Sequence, residues 1–372
     1  MKKLGVLLLC AGLLLSGCSS AVKEPIAATA ETMKMYQCGR DHLDKKIQPS
    51  YDAVLQGYKN LDKEIILKNV TISDVNDIHA AIKMDHPELY YLEDSFDYVT
   101  DKNEYESKAT YLFLKPSYRM IKSEIESRDK EIKQVTEKII NTAKKKKSDY
   151  EKVKYVYDYL IDHTSYDEKA KENQNILSTF LEHKTVCAGY AKGMQYLLNQ
   201  IGVPCTYITG FTRPDKRDVS HAWNMVKMDG NYYYMDVTNG DMLNNTKESR
   251  YMYFAMTKKQ ILAENRPFTD DYMEDTPSRK DSYFMKEGAY FTSCDKQQMT
   301  KLIQKSANKG YRLVFQCSSK ALGEQLDQML TANNFIFNMT GYDYYAYYRY
   351  EDTNTYIYVP DHQNSIWNAA DG

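Results

Sequence analysis

The dipeptide Asp229-Gly230 sits between two runs rich in strand formers, Val219 to Met228 and Tyr232 to Thr238. Asp-Gly supplies the two left-handed residues that a two-residue hairpin turn needs, so the runs are predicted to pair antiparallel, with Met228 facing Asn231. Counting outward, Asp236 faces Trp223, and Trp223 shares a strand face with His221. Asp236 and His221 are then diagonal neighbours, about 7 Å apart at the backbone and within side-chain reach. A one-residue slip in register would send them to opposite faces.

A second constraint lies upstream. Tyr190, Ala191, Met194, Leu197, Leu198 and Ile201 recur at the spacing of one helical face, and Gly202 is a natural terminator. This helix opens at Cys187. A cysteine in the first turn feels the positive end of the helix dipole, which favours thiolate, and the small Ala188-Gly189 pair leaves room for a substrate to approach. Taken alone, a cysteine behaves as a small buried hydrophobe and a strand histidine as a satisfied core residue. Taken together, Cys187, His221 and Asp236 are a nucleophile, a base and an orienting carboxylate, the set that lets a thiol attack an amide or ester.

The run from Glu151 to Thr238 resembles the transglutaminase-like superfamily of papain-type cysteine enzymes. The resemblance rests on Lys154-Tyr155-Val156-Tyr157-Asp158-Tyr159-Leu160, Thr164-Ser165-Tyr166-Asp167 and Val186-Cys187-Ala188-Gly189-Tyr190-Ala191. It continues through Ile201-Gly202-Val203-Pro204-Cys205, His221-Ala222-Trp223-Asn224 and Asp236-Val237-Thr238. It implies an α+β fold with a papain-like transglutaminase core, a Cys-bearing helix packed on an antiparallel sheet bearing His and Asp. It also implies Cys187 as nucleophile, His221 as general base and acid, Asp236 as orienter, and a thioester acyl-enzyme. One oxyanion donor is expected to be the Cys187 N–H. The family usually adds an upstream side chain, for which Tyr166 and Gln174 both qualify. Trp223, Asn224 and Cys205 match the family and are expected to pack. A papain-like protease in the narrow sense fits less well, because the orienter lies only a short step beyond the histidine.

The N-terminus reads as an address. Met1-Lys2-Lys3 is a basic start, and Leu4 to Leu15 would span only about 18 Å as a helix, short of the ~30 Å of a bilayer core. Leu15-Ser16-Gly17-Cys18 resembles the lipobox of bacterial lipoproteins, which implies cleavage before Cys18, lipidation of that cysteine and an extracytoplasmic protein anchored to a bacterial membrane. Of the seven cysteines, Cys10 leaves with the signal and Cys18 carries lipid. The remaining odd number, spread over a long chain, makes no disulfide framework. No CxxC pair and no HExxH helix occurs, so neither a metal nor a cofactor is expected. A net charge of −2 with the signs interspersed argues against an electrostatically driven nucleic-acid binder.

The chain is too long for one ordinary core. We divide it into a signal peptide (1–17), a tether (18–32), an N-terminal mixed α/β domain (33–149), the transglutaminase-like domain (150–278) and a small C-terminal two-layer α/β domain (279–362). In the first domain, helices are expected over Pro49–Leu61, from an N-cap at Ser73 to a stop at Asp85-His86-Pro87, and over Tyr118–Ala143, with a strand over Ala109–Leu114. In the last, Tyr342, Tyr344, Tyr348 and Tyr350 are expected on one strand face. The function expected is a cell-envelope thiol enzyme that cleaves or transfers amide bonds in proteins or peptides, with hydrolysis favoured. The alternative is a catalytically silent surface module binding cell wall or a partner protein, for which the tyrosine row would serve.

Overall fold

The structure is a computed structural model describing residues 36–101, 108–212, 217–242, 247, 249–269, 271–351 and 353–361. The segments expected to be signal peptide and tether, with Cys18 between them, lie outside these residues. Among the described residues no helix is long and apolar enough to cross a membrane.

The N-terminal part holds helix α1 (Gln48–Asn60), strand β1 (Ile65–Leu67), helix α2 (Ile72–Asp85), and strands β2 (Leu92–Thr100) and β3 (Leu112–Tyr118), the strands in order β1-β3-β2. Helix α1 buries Tyr51, Val54 and Tyr58. Helix α2 does not start at Ser73: its N-cap is Thr71, whose side chain accepts from the Asp74 N–H while the Asp74 carboxylate accepts from the Thr71 N–H. This reciprocal pair satisfies two helix-end donors, which Ser73, already inside the first turn, cannot do. The helix stops at Asp85, ahead of Pro87. Strand β3 runs on to Tyr118, so the following helix α3 begins only at Lys122 and extends to Lys144.

Helix α3 packs on the next two helices, α4 (Asp149–His163) and α5 (Cys187–Gln200). Helix α5 lies against strands β4 (Cys205–Thr212) and β5 (Val219–Met228) of a second sheet, completed by β6 (Asn231–Met235). Helices α6 (Val237–Met242) and α7 (Lys258–Glu264) follow, then β7 (Asn265–Pro267), which closes the antiparallel sheet in the order β6-β5-β4-β7. Met228 pairs with Asn231 as the turn dictates, and Asp229 and Gly230 take φ of 46° and 84°.

The sheet does not itself carry Asp236. Strand β6 ends at Met235, paired with Asn224, and the chain then turns into α6. Asp236 leaves the strand because its carboxylate caps that helix, with Oδ1 accepting the Asn239 N–H at 3.0 Å.

The last part comprises β8 (Tyr290–Phe291), α8 (Lys296–Ser306), β9 (Leu313–Cys317), α9 (Lys320–Thr331) and a hairpin of β10 (Tyr344–Tyr350) and β11 (Thr355–Asp361), with strand order β8-β9-β11-β10. Tyr342 precedes the strand and does not join the row. Tyr344 and Tyr348 are exposed, whereas Tyr350 points into the cleft described next. Among the described residues the larger of two apolar clusters runs from Tyr51 to Tyr358, and the smaller gathers Ile208, Trp223, Met225 and Tyr234. The overall class is α+β.

Candidate active site

Cys187 occupies the first position of α5, after Val186 in extended backbone. What precedes it fixes that start. The Thr185 hydroxyl bonds the Asn173 carbonyl and the Ser178 hydroxyl, each at 2.8 Å, and the Thr179 hydroxyl donates to the Gly189 carbonyl at 2.8 Å. Gly189 does not make room for a substrate. A Cβ there would lie 1.8 Å from Thr185 Oγ1, so the missing side chain is what lets the preceding loop close on the helix. Across the helix, Asn224 Nδ2 donates to the Ala191 carbonyl at 2.9 Å and ties α5 to β5.

His221 projects from β5 beyond the point where β6 ends. Its Nε2 donates to Asp236 Oδ2 at 2.7 Å, and the ring faces the same cleft as Cys187, which acts on its titration. With Nε2 committed to the carboxylate, Nδ1 is left for the sulfur. The ring lies nearly parallel to Trp223, 6.0 Å between centroids. Asp236 is fully buried, and Asn239 Nδ2 donates to its Oδ2 at 2.8 Å. The structure therefore brings all three predicted residues together, with Cys187 half-buried and open to the cleft.

Burial alone would push the imidazolium of His221 down. The adjacent Asp236 charge, its hydrogen bond and the contact with Cys187 outweigh this and push the pKa up to about 10.

The cleft has a volume of about 660 Å³, a size that takes a short peptide segment. Tyr166 lines it beside Cys187 and Glu168, while Gln174 lies in a separate cavity near Lys192. Burial, then the Cys187 and Glu168 charges, raise the Tyr166 pKa, so its phenol keeps its proton and can donate. Of the two residues the sequence left open, Tyr166 shares the cleft with Cys187 and Gln174 does not. Cys205 is fully buried, and burial pushes its thiol well above the usual range. Two contributions escaped sequence reasoning. Asn239 was signalled by its place three residues after a helix-capping aspartate, while the residues of the last hairpin that line the cleft gave no local signal.

Residues 133–237, a segment that begins within α3, match the model of the transglutaminase-like superfamily, so the chain carries a transglutaminase-like domain. The chain is 27% identical over 141 residues to kyphoscoliosis peptidase of Mus musculus, covering 34% of this chain and 21% of that protein. The Homo sapiens kyphoscoliosis peptidase is 26% identical over 141 residues, with the same coverage of 34% and 21%. The chain thus spans about a fifth of the length of the curated relatives it matches. Among solved structures, a TGase is 18% identical, with 40% of this chain and 46% of that one covered and a TM-score of 0.29.

Proposed function

We propose that this protein is a thiol enzyme acting on amide bonds of proteins or peptides at the cell envelope, anchored to the membrane through lipid on Cys18. The observation that carries the catalytic part is the His221 ring held between Asp236 and Cys187. The peptidase names of the matched relatives support cleavage over a silent scaffold.

In this reading Cys187 and His221 rest as a thiolate–imidazolium pair, with the thiol proton on His221 Nδ1, and the thiolate attacks the amide carbonyl carbon. As the C–S bond forms, the carbonyl electron pair moves to oxygen, which meets the Cys187 N–H at the helix start and the Tyr166 hydroxyl. Collapse of this intermediate breaks the C–N bond, and the departing amine takes its proton from the His221 imidazolium. A thioester remains. Water, deprotonated by His221, completes hydrolysis and restores the thiol, while an amine in its place completes transfer. Asp236 keeps Nε2 protonated and stabilises the imidazolium throughout.

The test is the rate of iodoacetamide alkylation at Cys187 against pH, followed by mass spectrometry on protein starting at Ser19, with His221→Ala alongside. Fast labelling below pH 7 that collapses in the variant is expected. Slow labelling with an ordinary thiol profile in both proteins would sink the enzyme reading and favour the binding module.

A further inference from the structure

The thiol cleft has a wall that belongs to neither the Cys-bearing helix nor the sheet. Arg349, Tyr350, Glu351 and Thr353, from the end of β10 and the turn into β11, line the same space as Cys187 and His221. They lie far beyond residue 237, where the family-matched segment ends.

This wall is firmly held. The Tyr283 ring stacks on Tyr251 with centroids 3.9 Å apart, and the Tyr233 hydroxyl donates to Asp281 Oδ2 at 3.1 Å, joining the last part of the chain to the helices and sheet behind the cleft. Within the hairpin, the Thr353 and Thr355 hydroxyls bond at 2.8 Å, and Gln316 Nε2 donates to Thr355 Oγ1 at 3.1 Å. Lys320 pairs with Glu351 at 3.3 Å, and Arg349 with Glu324 at 3.4 Å.

The chemistry of the lining is uneven. Carboxylates enter from three directions: Glu168 beside Tyr166, Glu264 at the end of α7 and Glu351 on the hairpin. Among the described residues the cationic groups on the lining are the His221 ring beside Cys187 and Arg349, which is already engaged with Glu324 and lies 3.9 Å from Glu351. Tyr253, Tyr350 and Met242 supply apolar and aromatic surface between them. A lysine or arginine side chain suits such a surface, with its methylene stem along the rings and its charged head among the carboxylates.

We propose that the β10–β11 hairpin is the specificity wall of the cleft, and that it favours acyl-donor peptides carrying a cationic side chain next to the bond attacked. This rests on the thiol-enzyme reading above. It turns the last part of the chain from a neighbouring module into part of the substrate site.

The experiment uses the protein starting at Ser19 and two reactive peptides, Ala-Ala-Lys and Ala-Ala-Glu chloromethyl ketones, with the second-order rate of Cys187 alkylation read by mass spectrometry. Iodoacetamide, too small to span the cleft, reports the thiol itself in each protein and normalises the rates. The wild type should prefer the lysine probe. Glu351→Lys should lower the lysine-to-glutamate ratio about fivefold, and the milder Glu351→Gln about half as far on a logarithmic scale. Both substitutions remove the pairs of Glu351 with the exposed Lys320 and with Arg349, and thermal melting confirms the fold. Glu168→Lys, on the opposite wall, should move the ratio the same way. A shift with Glu168→Lys but none with either Glu351 variant would overturn the hairpin's role, and equal wild-type rates for the two probes would overturn the cationic preference. Failure of the thiol-enzyme reading looks different: iodoacetamide labelling is then slow and indifferent to His221→Ala.

Discussion

His79 on α2 and His221 on β5 are buried alike, at 6% and 7% exposure, yet they titrate in opposite directions. His79 shares a 2.8 Å hydrogen bond with the Tyr58 hydroxyl and lies against the Phe96 ring. Burial, with the nearby Lys83 charge, pushes its pKa down to about 4, and the Asp94 charge only partly offsets this. His221 has Asp236 in direct contact and is pushed up to about 10 in spite of its burial. Depth therefore does not decide whether a histidine is inert or able to carry a proton. Between these two, the difference is the Asp236 carboxylate, which touches the His221 ring and has no counterpart against His79.

The sharpest way to break this contrast is Asp236→Asn. Asparagine can still cap α6, but it removes the charge that holds the imidazolium. His221 should then behave like His79, its pKa falling below the ordinary 6.5, as followed by NMR titration of the ring. Turnover of any amide or thiol-probe substrate should drop roughly 10³-fold or more. A His221 pKa that stays high would show that Cys187, not Asp236, dominates the electrostatics.

The half of the site that could be read from the chain was encoded locally. Asp229-Gly230 set the register that aligns His221 with Asp236, and the apolar spacing after Cys187 placed the thiol at a helix start. What could not be read depended on contacts between distant segments. Strand β2 carries Glu93, Asp94 and Asp97 with much of its length facing solvent, so it shows none of the apolar alternation that marks a strand. Gly189 looked like space for a substrate because nothing in the sequence places Thr185 against it. Asp236 looked like a strand residue until its side chain was seen capping the next helix. The wall formed by Arg349 to Thr353 has no local period at all, since it exists only because the Tyr251–Tyr283 stack and the Tyr233–Asp281 bond dock one segment on another.

The pH dependence of stability sharpens the contrast next. For His79 the folded pKa is depressed, so the unfolded chain binds its proton first. Its contribution is intact above about pH 6.5 and is lost as pH falls toward 4, by up to about 3 kcal/mol. For His221 the folded pKa is raised, so its contribution is intact below pH 6.5 and is lost as pH rises toward 10. His79→Gln should flatten the acid limb of the stability curve and leave the alkaline limb, whereas Asp236→Asn should flatten the alkaline limb and, because the His221 pKa then falls below 6.5, steepen the acid limb. Urea titrations at pH 4.5, 7 and 9.5 test this. Difference curves cancel shared contributions such as Asp85, whose pKa burial raises to about 6. An acid limb unchanged in His79→Gln would show that other groups govern acid unfolding.

The smallest expected effect concerns the two cysteines, which draw the contrast differently. Cys205 is fully buried at the start of β4, with its thiol pushed well above the usual range by burial, whereas Cys187 opens on the cleft. For the cysteines, unlike the histidines, depth itself separates the two, since burial is what raises the Cys205 thiol. Cys205→Ala should leave a small cavity behind the sheet and lower stability by about 1 kcal/mol, a melting shift of roughly 2–4 °C. The alkylation rate of Cys187 and its dependence on pH should not change, since the Asn224–Ala191 bond still ties α5 to β5. A large loss of Cys187 reactivity in Cys205→Ala would mean that packing behind the sheet, and not the local Cys–His–Asp geometry alone, sets the thiol's chemistry.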